Sequence, residues 1–227
     1  FGECPSIGIR KGIVVDLEQA AACCRNAIRM AEESSEIEID NVYLVLNGSG
    51  VSSFTNKGTI QILDQNSTVK KADMEEVAKV AKSTKNHPNT KVIHTILQYY
   101  TVDNQRGITN PEGMKCHTLS VDMLIVYVNE TAINNMAKVV NTLGLEVVDT
   151  AFSALCSALA VLTPDQKKCG VLLIEMGAGT TNYIAYADGA VADMGAINIG
   201  GDHINNDIAM AFSISCLLYT SPSPRDS

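Results

Sequence analysis

Apolar residues recur along the chain at two spacings, and the spacings sort its segments. Steps of three and four put Leu17, Ala21, Cys24, Ile28 and Ala31 on one helical face, with Asp16 placed to cap and Gln19 at the capping-box position. The same spacing predicts helices through Met74, Val77, Ala78 and Ala81, and through Ile133, Met136, Ala137, Val140 and Leu143, where Gly144 is the stop. Ala154 to Leu162 reads as an Ala/Leu-rich helix stopped by Thr163-Pro164. A last helix has Asp202 as its cap and Ile204, Ile208 and Phe212 on one face.

Between the helices lie short β-branched and aromatic runs that predict strands: "NVYLVLNG", "VSSFTNKGTIQI", "KVIHTILQYYTV", "LSVDMLIVYV" and "LEVVDT". "CGVLLIEMG" is apolar without alternation, which predicts a strand buried on both faces. Asp188-Gly189 between two strand-like runs predicts a type I′ hairpin. Strands alternating with helices in the second half predict an α/β layer with parallel pairing.

Composition narrows the class. The 227 residues are 46% hydrophobic and 19% charged, a balance typical of globular domains, and no apolar run is long enough to span a bilayer as a helix. A net charge of -8 argues against nucleic acid as a partner. The 7 cysteines form no CxxC pair and are expected to be reduced packing residues; the 4 histidines lack metal-ligand spacing. Asn110-Pro111 and Gly113 predict a crossing between domains. Residues 216–227, "CLLYTSPSPRDS", resemble a translated sequencing adaptor and carry no fold logic. With no initial Met and an opening in mid-pattern, the chain is expected to be a fragment cut at both ends.

The candidate chemistry sits in "LLIEMGAGTTNYIAY". A dinucleotide fingerprint needs a third glycine and a helix directly after it; Asn182 holds that place and a strand pattern follows. A Walker loop needs a lysine that is absent. Two readings stay open: a plain tight turn, and a phosphate-binding hairpin. In the second, N–H groups at Gly177, Gly179 and Thr180 form an anion-binding concavity, the Thr180 hydroxyl adds a hydrogen bond, and Glu175 holds the hydration shell of Mg²⁺. Gly200-Gly201 before the last helix offers further N–H groups to phosphate. The order acid, glycine loop, hairpin, glycine pair, helix is more specific than any one part.

That order resembles the second phosphate loop of the actin-like ATPases, and the chain most resembles their FtsA cell-division family. "IGIRKGIVVDLE", "NVYLVLNGSGVSSF", "QYYTVDNQRGITNPEGM", the run from "LGLEVVDTAFSALCS" through "AYADGA", and "IGGDHINNDIA" carry the likeness, from Ile7 to about Phe212. It implies a partial α/β actin-like ATPase (ribonuclease H-like) fold with an inserted α+β 1C subdomain of the SHS2 type. The implied division is 1–12 as the end of a 1A segment, 13–113 as 1C, 114–166 as the rest of 1A, 167–215 as the start of 2A with the phosphate hairpin, and 216–227 as adaptor. The resemblance further implies ATP and Mg²⁺ as cofactors. Gly177, Ala178, Gly179, Thr180, Thr181, Gly200 and Gly201 fall at the nucleotide, and Glu175 at the metal through water. It implies no assigned catalytic residue and at most slow ATP hydrolysis.

Implied partners are FtsZ, other division proteins and further copies in a filament. The implied location is cytoplasmic, on the inner face of the membrane at the division site, through a C-terminal helix absent here. Glu175, Ala178 and Asn182 stand where the family usually has Asp, Gly and Asp, which is expected to disturb hydrolysis more than binding. The first phosphate loop, adenine pocket and FtsZ-binding surface are expected outside this stretch, so the chain alone is expected to bind ATP weakly or not at all. The alternatives are a pilus-assembly protein of the PilM type, an interaction scaffold that needs no nucleotide, and a sugar-kinase-like phosphotransferase.

Overall fold

In the computed structural model, the described residues are 1–48, 50–63, 67–83 and 88–213; His87 and the adaptor-like 216–227 lie outside them. The chain enters through a short antiparallel ribbon, β1 (Ile9–Arg10) and β2 (Ile13–Val14). Lys11 and Gly12 form its tip, both at positive φ, the hand that closes a two-residue hairpin. Helix α1 (Leu17–Ser35) follows, and the Asp16 carboxylate accepts from the Gln19 N–H at 3.0 Å, so Asp16 is the expected cap.

Strand β3 (Asn41–Leu46) then leaves for a long excursion before its partner returns. The first strands after it, β4 (Ser52–Gln61), β5 (Thr90–Val102), β6 (Gln105–Ile108) and β7 (Thr118–Asn129), build a sheet of order β4-β7-β5-β6. Its pairings are antiparallel, and α2 (Lys71–Lys82) packs on it. The sequence boundary at 113/114 falls inside this sheet, between β6 and β7. The chain then forms α3 (Glu130–Asn141), which packs against α1, and β8 (Glu146–Phe152), which pairs parallel with β3. Parallel pairing is therefore present, between β8 and β3, but β7, the other strand expected in that layer, pairs antiparallel in the four-stranded sheet.

Strand β7 is the wall between two cores. Leu119, Val121, Met123 and Ile125 face a cluster with Val69, Val77 and Tyr100. Leu124, Val126 and Val128 face a second cluster with Phe152, Ile184 and Met194. Its near-continuous apolar run is thus buried on both sides, as a strand in a layered fold must be.

After β8 come α4 (Ser153–Val161), α5 (Pro164–Cys169), β9 (Val171–Met176), β10 (Thr181–Ala187), β11 (Ala190–Ile197) and α6 (Gly201–Phe212). The three strands form an antiparallel sheet of order β11-β10-β9. Asp188 and Gly189 both have positive φ, so the expected I′ turn is present.

Three expectations are corrected. Thr163-Pro164 stops α4 but also starts α5: Pro164 is its first residue, and Thr163 and Gln166 exchange capping bonds. Strand β9 is not buried on both faces: Leu172, Ile174 and Met176 are more than half exposed, while Leu173 packs inward. It is an edge strand with one covered face, and an unbroken apolar run cannot report that. Helix α6 is capped by Gly200, not Asp202; Ile204 and Phe212 are exposed, and its buried residue is Ala209.

Side chains tie the sheets together. The Phe152 N–H donates to His94 Nε2 at 3.0 Å, joining β5 to the end of β8. Ser53 Oγ lies 2.8 Å from Asp193 Oδ1 and 2.7 Å from the Met194 carbonyl oxygen, its single hydrogen serving one or the other, and Gln98 Nε2 donates to the Val191 carbonyl, joining β4 and β5 to β11. Of the described cysteines, only Cys116 is buried and Cys169 is exposed. No described helix is long and apolar enough to cross a membrane.

Candidate functional site

The glycine loop between β9 and β10 is held from two sides. Within it, the Gly177 N–H donates to the Thr180 carbonyl at 2.8 Å. From α6, the N–H groups of Gly201 and Asp202 donate to the carbonyls of Gly177 and Ala178 at 2.9 and 2.8 Å. The Gly201 and Asp202 N–H groups are thus spent on the loop, and the Gly200 N–H faces His203 Nδ1, so the glycine pair does not offer its N–H groups to phosphate as expected. Those orphan donors of a helix start are satisfied by protein. The N–H groups of Ala178, Gly179 and Thr180 donate to no protein acceptor among the described residues. Three successive unspent amides at a loop tip suit an anion with several oxygens.

This geometry explains the glycines one by one. None of Gly177, Gly179, Gly200 and Gly201 has a positive φ. Space decides instead: a Cβ on Gly200 would fall on the carbonyl oxygens of Gly177 and Ala178, whereas one on Gly201 would come no nearer than 3.8 Å, to the Gly177 oxygen. A Cβ on Gly179 would touch Lys11 Cγ at 3.4 Å. Gly200 is thus the glycine that lets loop and helix meet.

Glu175 does not line the loop's cleft. Its Oε2 accepts from Ser153 Oγ at 2.6 Å and from Asn182 Nδ2 at 3.3 Å, and its Oε1 lies 3.4 Å from Ser157 Oγ. Asn182, 3% exposed, also donates to Ser153 Oγ and accepts from the Gly48 N–H at 2.9 Å. A polar chain thus runs from Gly48 through Asn182 and Ser153 to Glu175, fastening α4 to β9 and the end of β3 to β10. Thr180 is buried with its methyl toward Gly48, and the Thr181 hydroxyl donates to the Ile199 carbonyl at 2.7 Å. Among the described residues no group of three or more His, Cys, Asp or Glu side chains is placed to hold a metal directly.

A cleft of about 520 Å³ opens beside the loop, bounded by Arg10 and Lys11 on the ribbon, Ala178 and Gly179 on the loop, and Asp202 and His203 on α6. Sequence reasoning missed Lys11, His203, Ser153 and Gly48. The "RKG" turn and a histidine three residues past Gly200 were visible signals, but their meeting is tertiary.

The family model described as "SHS2 domain inserted in FTSA" matches residues 48–127, and "Cell division protein FtsA" matches residues 172–216; together they take in more than half of the chain. "Cell division protein FtsA" of Pseudomonas aeruginosa is 35% identical over 211 residues, 93% of this chain and 50% of that protein. The protein of the same name from Escherichia coli K12 is 34% identical over the same shares. The chain thus spans about half the length of these curated relatives. The solved "PilM-PilN type IV pilus biogenesis complex" superposes with a TM-score of 0.57 at 14% identity, over 94% of this chain and 58% of that one.

Proposed function

The chain belongs to the FtsA cell-division family, and from that premise we propose that it contributes the second phosphate loop and the inserted domain of an ATP-binding division-ring adaptor. Its fold is that of the actin-like ATPases, with an SHS2 domain inserted. In this reading the complete protein binds ATP, assembles with further copies, tethers FtsZ polymers to the inner face of the cytoplasmic membrane and recruits other division proteins. ATP acts as an assembly ligand that shifts the balance between states, with slow hydrolysis at most.

The observation that carries the reading is the loop tip at Ala178, Gly179 and Thr180, three unspent N–H groups steadied by α6. They would hold the phosphates. A carboxylate has about four lone-pair sites, and three on Glu175 already face side-chain donors. Contact of Glu175 with Mg²⁺ through the ion's water, the metal coming with the nucleotide, follows from the family resemblance and would use the remaining one. We assign the inserted unit to residues 48–129, so that it keeps β7 with its sheet partners.

The test uses a chain extended to the length of the curated relatives. Mg-ATP at a hundred times its Kd is expected to add about 2.7 kcal/mol to stability. The same protein is expected to carry FtsZ polymers onto anionic vesicles. Vesicle and FtsZ recruitment with no thermal response to Mg-ATP would replace this reading with a scaffold that needs no nucleotide.

A further inference from the structure

Lys11 lies across the loop. Its Cγ is next to Gly179, and its ammonium reaches the first turn of α6, 3.3 Å from His203 Nε2 and 3.2 Å from the Asn198 carbonyl. The other ring nitrogen, Nδ1, faces the Gly200 N–H at 3.2 Å. A neutral imidazole has one lone pair for hydrogen bonding, so it cannot accept from both donors. If Nδ1 serves Gly200, the helix cap, then Nε2 carries the hydrogen and points it at the Lys11 ammonium. Donor then faces donor at the edge of the cleft.

We propose that Lys11 and His203 are a two-pronged subsite for an anionic phosphate group, the side-chain complement to the loop amides. An oxyanion there would accept from Lys11 Nζ and from His203 Nε2–H while Nδ1 stays with Gly200, and hydrogen bonds to charged groups are the strong ones. Arg10 on the same ribbon adds positive charge to the cleft, and Asp202 on α6 is the charge that opposes it. The inference rests on the nucleotide reading only for the source of the anion. Lys11 and His203 become residues that position the phosphates.

The experiment uses the same extended chain, isotope-labelled and titrated with inorganic pyrophosphate, following the Ala178 to Thr180 amides and the His203 ring nitrogens by NMR. Loop amides and Nε2 are expected to shift with one shared Kd. Lys11→Met is expected to weaken binding about tenfold and Lys11→Arg to restore most of it, the size of one charge-assisted hydrogen bond. Loop shifts with a silent Nε2, or an unchanged Kd in Lys11→Met, would overturn the subsite and leave the loop's nucleotide role standing. No shift anywhere in the extended chain would overturn both. Should Lys11→Met fail to fold, the wild-type Nε2 response decides alone.

Discussion

At the residue scale, neighbouring glycines and matched polar pairs carry distinct duties. Gly200→Ala forces a methyl onto two loop carbonyls and is expected to cost about 2 kcal/mol in urea unfolding, the range of an overpacked site. Gly201→Ala makes only an ordinary van der Waals contact, 3.8 Å from the Gly177 oxygen, in a helix and is expected to stay within about 0.5 kcal/mol of the parent or exceed it. Equal losses from both would contradict the close approach of loop and helix. Asn182 and Glu175 form a second matched pair, an amide donating to a carboxylate at 3.3 Å. Asn182→Asp would keep the acceptor for Gly48 but set two carboxylates together and remove the amide that donates to Ser153 Oγ. A loss of about 1–3 kcal/mol at pH 7, shrinking at pH 5, is expected from denaturant curves at the two pH values. Glu175 and Asn182, two of the three positions expected to depart from the family pattern, are neighbours in the fold. Their one-dimensional spacing, seven residues, shows a contact only once β9 and β10 are known to pair Glu175 opposite Asn182.

At the element scale, β7 and β9 teach what an apolar run can and cannot say. Both lack alternation in sequence. β7 has a core on each side, so the reading "buried on both faces" fits it; β9 is an edge strand with Leu172, Ile174 and Met176 turned outward. The helix signals were more legible, because caps act locally: Asp16 with Gln19 and the hairpin at Asp188-Gly189 needed no tertiary partner. α6 misled because Asp202 is a good cap by type, while the loop carbonyls, far off in sequence, claimed its N–H. The joint between β5 and β8 is also tertiary and responds to protons. Burial holds the His94 pKa below its ordinary value, against a smaller opposite pull from Asp149. Its Nε2 must stay unprotonated to accept from Phe152. The folded pKa lies below the unfolded one. This contribution is therefore present above the ordinary histidine value and lost as pH falls toward the lowered one. Unfolding curves from pH 8 to pH 5 are expected to lose stability in that window, and His94→Gln is expected to flatten this part of the profile.

At the scale of the whole molecule, two cores share one strand, and their fates are coupled. Val121 and Val126 are fully buried, one in each core. Trimming either to alanine removes two methyl groups and is expected to cost about 1–3 kcal/mol. Both variants are expected to shift one common unfolding transition with an unchanged urea slope, followed by far-UV circular dichroism and by tyrosine fluorescence together. Two separate transitions, each moved by only one variant, would show the inserted sheet to melt on its own.

The shared strand also limits modularity. An inserted unit whose last strand has solvent on its far side could be cut out and grafted like a cassette. Here residues 118–129 finish one sheet with their odd-numbered side chains and seal a neighbouring core with Leu124, Val126 and Val128. A chimera that exchanges residues 48–129 for another protein's version must therefore match the recipient's core as well as its splice points. Compatible donors should be recognisable by the even-numbered positions of that strand rather than by the ends of the insert.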